Sequence, residues 1–322
     1  MRALALATLL AAGCYDLGSL ENSSAAAGDG GVHNVGSTDN GGAGWETVTA
    51  ASGGAAALRG VFGSGAGDVV AVGASSTIVR LAAKSAPASE SAPPGYNLRA
   101  VWVGSAGALA VGDSETVLMR GGATSWDGAS FGDPTLFSVT GLPGGGAIAV
   151  GSGGSIVRQT AAMWSPEVQP EALMTGALRG VVARADGDVI AVGEAGVILH
   201  GIGTTTPLSW SSEPSGVSGD LFAAWTTSTE TWIVGSGGVI LHAGSDDVWT
   251  VEPSGTTADL FGVSGDGDSL WAVGAGGTVV RRHAGTWALE AVGGADLHAV
   301  FASGGGEAWA VGDAGTILHR HP

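Results

Sequence analysis

From Leu58 onward, apolar runs of four to six residues alternate with turns built from Gly, Asp and Ser. Runs this short, bounded by such turns, are strands rather than helices. The pattern repeats. A Leu opens one strand and a Gly closes the next in "LRGVFGSGAGDVVAVG" from Leu58, "LRAVWVGSAGALAVG" from Leu98, "LFSVTGLPGGGAIAVG" from Leu136, "LRGVVARADGDVIAVG" from Leu178, "LFAAWTTSTETWIVG" from Leu221, "LFGVSGDGDSLWAVG" from Leu260 and "LHAVFASGGGEAWAVG" from Leu297. A third apolar run follows, as in "STIVR" ending at Arg80, "GVILH" ending at His200 and "GTILH" ending at His319. In most copies a fourth run begins at a Trp: Trp126, Trp164, Trp210, Trp249 and Trp287. The third runs are apolar at nearly every position, so both of their faces must be covered. A repeated unit of about forty residues with four strands is the signature of a propeller blade. The pattern therefore predicts an all-β, seven-bladed β-propeller of four-stranded blades.

The seventh copy supplies three strands and stops before its Trp run. The missing run stands at the other end, as "WETVTA" from Trp45 to Ala50. A circular fold brings the two ends together, so strand 45–50 is predicted to pair into the last blade and close the ring, which covers an exposed strand edge. The first copy is the irregular one. Where its Trp strand belongs it has "KSAPASESAPPGYN" from Lys84 to Asn97, which predicts a short or missing outer strand.

The stretches "WAVGAGGTVVRRHAGTW" from Trp271 and "WAVGDAGTILHR" from Trp309 resemble the repeats of photosystem II stability and assembly factor-like propellers, within the wider group of Asp-box, or BNR-like, propellers. The resemblance covers about residues 45 to 322 and implies the architecture. It implies little about activity, because propellers host many. The Asp-box itself is degraded: "HAGTW" at His283 keeps one end of it and "SDDVW" at Ser245 keeps only the acidic residues.

Composition narrows the function. The chain carries 12 basic and 29 acidic residues, a formal charge of −17, and Lys84 is its single lysine. Nucleic acid binding runs on Lys and Arg neutralising phosphates, so that class is excluded, as is charge-driven adhesion to anionic lipid. The charge also suits a soluble monomer. At the N-terminus, "MRALALATLLAAGCYD" has one positive residue, a short apolar stretch and small residues before Cys14, the only cysteine. This is a signal-peptide layout, too short to span a membrane as a helix. Leu10-Ala11-Ala12-Gly13-Cys14 resembles the lipobox of bacterial lipoproteins, with Ala11 where the usual Leu stands. The resemblance implies a leader at 1–13, thioether lipidation of Cys14 and acylation of the new N-terminus; the alternative is an ordinary signal peptide. A single cysteine allows no intramolecular disulfide. Residues 14–44 are poor in large apolar residues and read as a flexible linker, leaving 45–322 as the propeller. The expected location is an exported, lipid-anchored protein on a bacterial membrane, the outer membrane first, with its face left open.

No catalytic set stands out. The sialidases of the wider group need three Arg, a Tyr–Glu pair and an acid/base Asp, and the two tyrosines here are Tyr15 and Tyr96, neither near a partner Glu. The acidic residues fall mostly in turns such as "ADGD" and "GDGDS", where Asp bonds its own backbone. No metal and no cofactor is expected. His200, His242 and His319 close third strands of different blades and read as strand-end side chains with their tips in water. One constellation is different. The residues after the first-strand Leu are Arg59, Arg99, Phe137, Arg179, Phe222, Phe261 and His298. The first strand of a blade lies nearest the axis, so these seven are predicted to form a cationic and aromatic mouth. Arg and aromatics are favoured in binding hot spots; the competing role is interblade packing, with Arg stems on aliphatic surface. Together these features predict a membrane-anchored, non-catalytic binding or assembly scaffold for a protein or glycan of the cell envelope. The alternative is a carbohydrate-active or other hydrolytic enzyme on a propeller.

Overall fold

The structure is a computed structural model that describes residues 44–48, 56–104, 107–121, 124–160, 163–167, 176–203, 207–266, 269–291 and 293–321. The leader at 1–13, Cys14 and the linker as far as residue 43 lie outside the described residues, as do positions 49 and 50 of the predicted closing strand. Seven four-stranded antiparallel sheets make up the fold. The innermost strands are Leu58–Gly63, Leu98–Gly104, Leu136–Gly141, Leu178–Ala183, Leu221–Thr226, Leu260–Gly265 and Leu297–Gly304. Each packs against the innermost strand of the next blade, and the last packs against the first. The protein is thus a closed seven-bladed propeller.

The described residues form seven apolar clusters, one at each seam between blades. Successive side chains on a strand point to opposite faces of the sheet, and here both faces are buried. In blade 1, Val69 and Ala71 enter the seam with blade 7, while Val70 and Val72 enter the seam with blade 2. Burying one such Val, Leu or Ile stabilises by about 1.5–3 kcal/mol relative to leaving it exposed. The continuous apolar runs are therefore a consequence of the ring: every inner sheet is sandwiched.

The ring closes as the repeat count requires. Trp45–Thr47 forms the outer strand of blade 7, with Trp45 opposite Arg320, Glu46 opposite His319 and Thr47 opposite Leu318. The Val48 amide extends the ladder to the Ile317 carbonyl at 2.9 Å. Blade 1 differs from the expectation of a short or missing outer strand. Ser85–Ser89 supplies it, from within the Pro- and Ser-rich run. Pro87 falls in a bulge between the pairs Arg80–Ala88 and Ala82–Ser85. An outer strand tolerates proline because one of its edges needs no donor, and a bulge leaves a residue unpaired.

Candidate functional site

The seven predicted mouth positions share one backbone feature. In every blade the ladder between the first and second strands shifts register across the residue after the Leu: at Leu58/Gly60, Leu98/Ala100, Leu136/Ser138, Leu178/Gly180, Leu221/Ala223, Leu260/Gly262 and Leu297/Ala299. Arg59, Arg99, Phe137, Arg179, Phe222, Phe261 and His298 are the bulged residues. A bulge re-aims a side chain out of the regular alternation, and all seven are half-buried.

Two groups form within this set. The guanidinium carbons of Arg99 and Arg179 lie 6.0 and 4.7 Å from the Phe137 ring centre. Phe222 meets Phe261 edge-on at 5.4 Å, and Phe261 lies 5.8 Å from His298. Arg59 falls between the two groups in blade order and makes no ring contact or ion pair among the described residues. Arg99, Arg179 and His298 each meet a carboxylate on the tight turn after the second strand of their own blade. Arg99 bonds Asp113 at 2.8 Å, Arg179 bonds Glu194 at 2.6 Å and His298 bonds Asp313 at 2.8 Å. Glu194 is held below the ordinary carboxylate value, first by the Ala177 amide and then by Arg179.

A second polar layer lies farther out, at the third-strand ends. The expectation that these histidines carry their tips into water is corrected for two of them. His200 and His319 are 6% and 3% exposed. His200 Nδ1 lies 2.6 Å from Glu213 and its Nε2 lies 3.2 Å from Asp188. His319 has one carboxylate, Glu307 at 2.8 Å, and stacks on Trp309 at 3.8 Å. His242, more open, stacks on Trp232 at 4.6 Å. His242 and His319 face tryptophans of the second strand across cross-strand pairs, while His200 stands opposite Ile190, and the carboxylates come from either side of the third strand. Ligand atoms of His200, Glu213 and Asp247 lie within 4.8 Å of one another. Arg184 bonds Asp247 at 2.6 Å and Asp188 also flanks the imidazole, so one carboxylate of the cluster already has a guanidinium partner.

The two buried histidines should give stability opposite dependences on pH. Hydrogen bonding to Glu213 raises the His200 pKa above 6.5, against a smaller desolvation effect. Its contribution is full below the unfolded-state value and fades as pH rises through the folded one. Desolvation lowers the His319 pKa below 6.5, only partly offset by Glu307. Its contribution is full above the unfolded value and fades as pH falls through the folded one. In urea unfolding, His200→Gln is expected to destabilise more at about pH 5.5 than at about pH 8.5, and His319→Gln the reverse. Equal losses at both pH values for either variant would contradict the assignment.

The acidic turns behave as turn caps. Asp186 accepts the Asp188 amide at 3.0 Å. Asp266 accepts Ser269 at 3.0 Å and, across the seam, Gly306 at 2.9 Å; Asp268 lies outside the described residues. Burial raises the Glu115 carboxyl, yet no side chain hydrogen-bonds it among the described residues. Asp113, Glu194 and Asp313 are each bonded to a mouth side chain, whereas Asp220, Asp259 and Asp296, just before the first strands of blades 5, 6 and 7, accept the Ala195, Gly237 and Gly276 amides.

One functional unit of the scaffold was missed in the sequence although its signal repeats there. Trp164, Trp210, Trp249 and Trp287 are each followed three residues later by a Glu. On a strand, an odd spacing places two side chains on opposite faces. Each Trp can thus look back to the preceding blade while its Glu looks forward. The Trp249 indole donates to Glu213 at 2.7 Å, Trp287 to Glu252 at 2.6 Å and Trp45 to Glu290 at 2.9 Å. In blade 2, Trp126 donates to Glu90 at 2.5 Å. At the seam of blades 3 and 4, Glu167 accepts the Leu208 amide instead, and the buried Trp164 and Trp210 indoles have no acceptor among the described residues.

Fold and mouth together define the class: a seven-bladed β-propeller with a mixed cationic and aromatic set at its innermost strands. Among solved structures, it is similar to YCF48 from Cyanidioschyzon merolae, at 18% identity and a TM-score of 0.69 over 87% of this chain and 99% of that one. It is also similar to YCF48 bound to D1 peptide, at 17% identity and a TM-score of 0.69 over 86% and 97%. Virginiamycin B lyase from Staphylococcus aureus superposes with a TM-score of 0.74 at 14% identity, over 87% and 99%. At these identities the likeness concerns the fold. No protein-family model and no curated protein sequence matches the chain. Among the described residues no helix is long and apolar enough to cross a membrane.

Proposed function

We propose that this protein is an exported lipoprotein, held to a bacterial membrane through Cys14, whose propeller is a non-catalytic scaffold that binds a protein partner at its mouth. The observation that carries the binding part is the bulge recurring at all seven mouth positions, which gathers Arg, Phe and His side chains at the innermost strands. Half-buried aromatics and guanidinium groups suit recognition, and the neighbour YCF48 is found bound to D1 peptide. Asp113, Glu194 and Asp313 already bond Arg99, Arg179 and His298. The anchoring part rests on the leader-like 1–13 and the single cysteine; several acyl chains at one site anchor firmly where one does not.

The test is a pull-down from detergent-solubilised envelope with the full chain, at low and high salt. One enriched protein, released by salt, is the expected outcome. No enrichment at either salt overturns the scaffold reading and brings hydrolase and lyase screening forward. For the anchor, Cys14→Ser is expected to move the protein from the membrane pellet to the soluble fraction. A variant that stays in the pellet removes the lipid.

A further inference from the structure

Two positions vary together across the repeats. One is the bulged mouth residue. The other is the residue after the Gly that closes the second strand. Where the first is Arg or His, in blades 2, 4 and 7, the second is Asp113, Glu194 or Asp313, and the pair is bonded at 2.6 to 2.8 Å. Where the first is Phe, in blades 3, 5 and 6, the second is Ser or Ala. Blade 1 alone breaks the rule: it has Arg59, and Ala74 where the acid belongs.

The neighbourhood does not supply the missing charge. The turn of blade 7 packs against the innermost strand of blade 1, but its Asp313 is already bonded to His298 at 2.8 Å. Residues 49–55, which lead into the Arg59 strand, contain no Asp or Glu. Arg59 is half-buried and has no ion pair among the described residues. It is therefore a cation held on a bulge, in a protein of net charge −17, at the position where sister blades neutralise theirs.

We infer that Arg59 is the anion reader of the mouth, and that it takes a single carboxylate carried beside an aromatic or apolar group. The inference rests on the scaffold reading and names its ligand chemistry: an Asp or Glu side chain next to an apolar residue on a protein partner. A guanidinium matches a carboxylate with a planar fork of donors, often bidentate. One uncompensated cation matches one negative charge, and a dianion would bring a charge that nothing in the mouth balances. The apolar part of the ligand has surfaces on both sides, Phe261 beyond His298 and Phe137 beyond Arg99.

The test uses 3-phenylpropionate, with 3-phenylpropionamide as the uncharged control and phenylphosphate as the more highly charged one. Each is titrated into the full chain in mild detergent and followed by ligand-observed NMR. The carboxylate is expected to bind most tightly. Arg59→Gln and Ala74→Asp are each expected to weaken it at least tenfold, the second by installing in blade 1 the acid that blades 2 and 7 already carry. Arg99→Gln is expected to change it less than threefold. Ala74→Asp keeps the inference testable should Arg59→Gln unfold, because Asp occupies that turn position in two sister blades. Absence of carboxylate binding by the unaltered chain, equal binding of the amide, or binding indifferent to Ala74→Asp each overturns the inference. The scaffold reading fails separately, by the absence of any captured partner. A partner still captured by both blade 1 variants would leave the scaffold standing and remove Arg59 from it.

Discussion

Gly274→Ala is expected to destabilise the propeller by about 3 kcal/mol or more, at the upper end of overpacking effects. The reason is not its backbone angle, since φ is −170°, ordinary extended backbone. A Cβ built there falls well inside contact with the Asp259 carbonyl oxygen and within 2.9 Å of the Leu260 Cα. The carbonyl cannot retreat, because it accepts the Ala275 amide at 2.9 Å. The same clash with a backbone carbonyl recurs at Gly73, Gly112, Gly151, Gly193, Gly235 and Gly312, and in each blade the amide after the Gly bonds that carbonyl. The Gly of the repeat is thus where the second strand's end is fastened to the chain entering the first strand. Gly276→Ala is the control. Its φ is +64° with no atom within 4 Å of the added carbon, and Ala195 and Ala314 hold the equivalent place at φ of 55° and 53°. It is expected to cost about 1 kcal/mol, the price of a left-handed conformation. Urea unfolding of the two variants checks the pair; a Gly274→Ala loss no larger than that of Gly276→Ala would refute the fastening.

Trp45→Ala is expected to destabilise by about 3 kcal/mol, the low end for truncating a large aromatic, and by more than Trp249→Ala. Both indoles make the same bond to a Glu of the preceding blade, at 2.9 and 2.7 Å. They differ in what else holds their strands. Trp249 stands in a blade continuous in the chain. Trp45 stands in the strand that closes the ring, where it packs into the seam of blades 6 and 7 while Val48 packs into the seam of blades 7 and 1. Loosening it exposes the edge of Ile317–Arg320 and weakens two seams at once. Thermal melting of the two variants beside the parent decides this. Equal losses would mean that the closing strand is only another outer strand. A double-mutant cycle of Trp45→Ala with Glu290→Gln isolates the indole bond from the packing.

Parts of this architecture are local and so legible along the chain. Apolar runs and turn residues mark the strands, their recurrence counts the blades, and the surplus strand at Trp45 closes the ring. The observed first strands begin at the Leu residues the repeat picks out. The first blade was harder to read because Pro and Ser argue against a strand, and only the bulge at Pro87 reconciles the run with one. The third-strand histidines read as surface groups because each stands at the end of a run. Glu213, Asp188 and Glu307 stand 12 or 13 residues from His200 and His319 along the chain, but only the folding of neighbouring stretches of the blade against the third strand brings them to the rings. The Trp-to-Glu spacing was on view four times, yet it acquires meaning only when the outer strands of adjacent blades lie side by side.

The sequence by itself determined what depends on short-range periodicity: an all-β ring of seven four-stranded units, its order, its closure, and the residue types offered at the innermost strands. Tertiary structure decided what depends on distance between blades and on ladder register. It set the bulge that re-aims each mouth residue, tied Arg99, Arg179 and His298 to carboxylates, and linked the outer strands through indole–carboxylate bonds. A one-residue register shift changes which way a side chain points without changing any hydrophobic pattern, and Arg59 is left without the partner of its sister residues because the turn of its own blade offers Ala74.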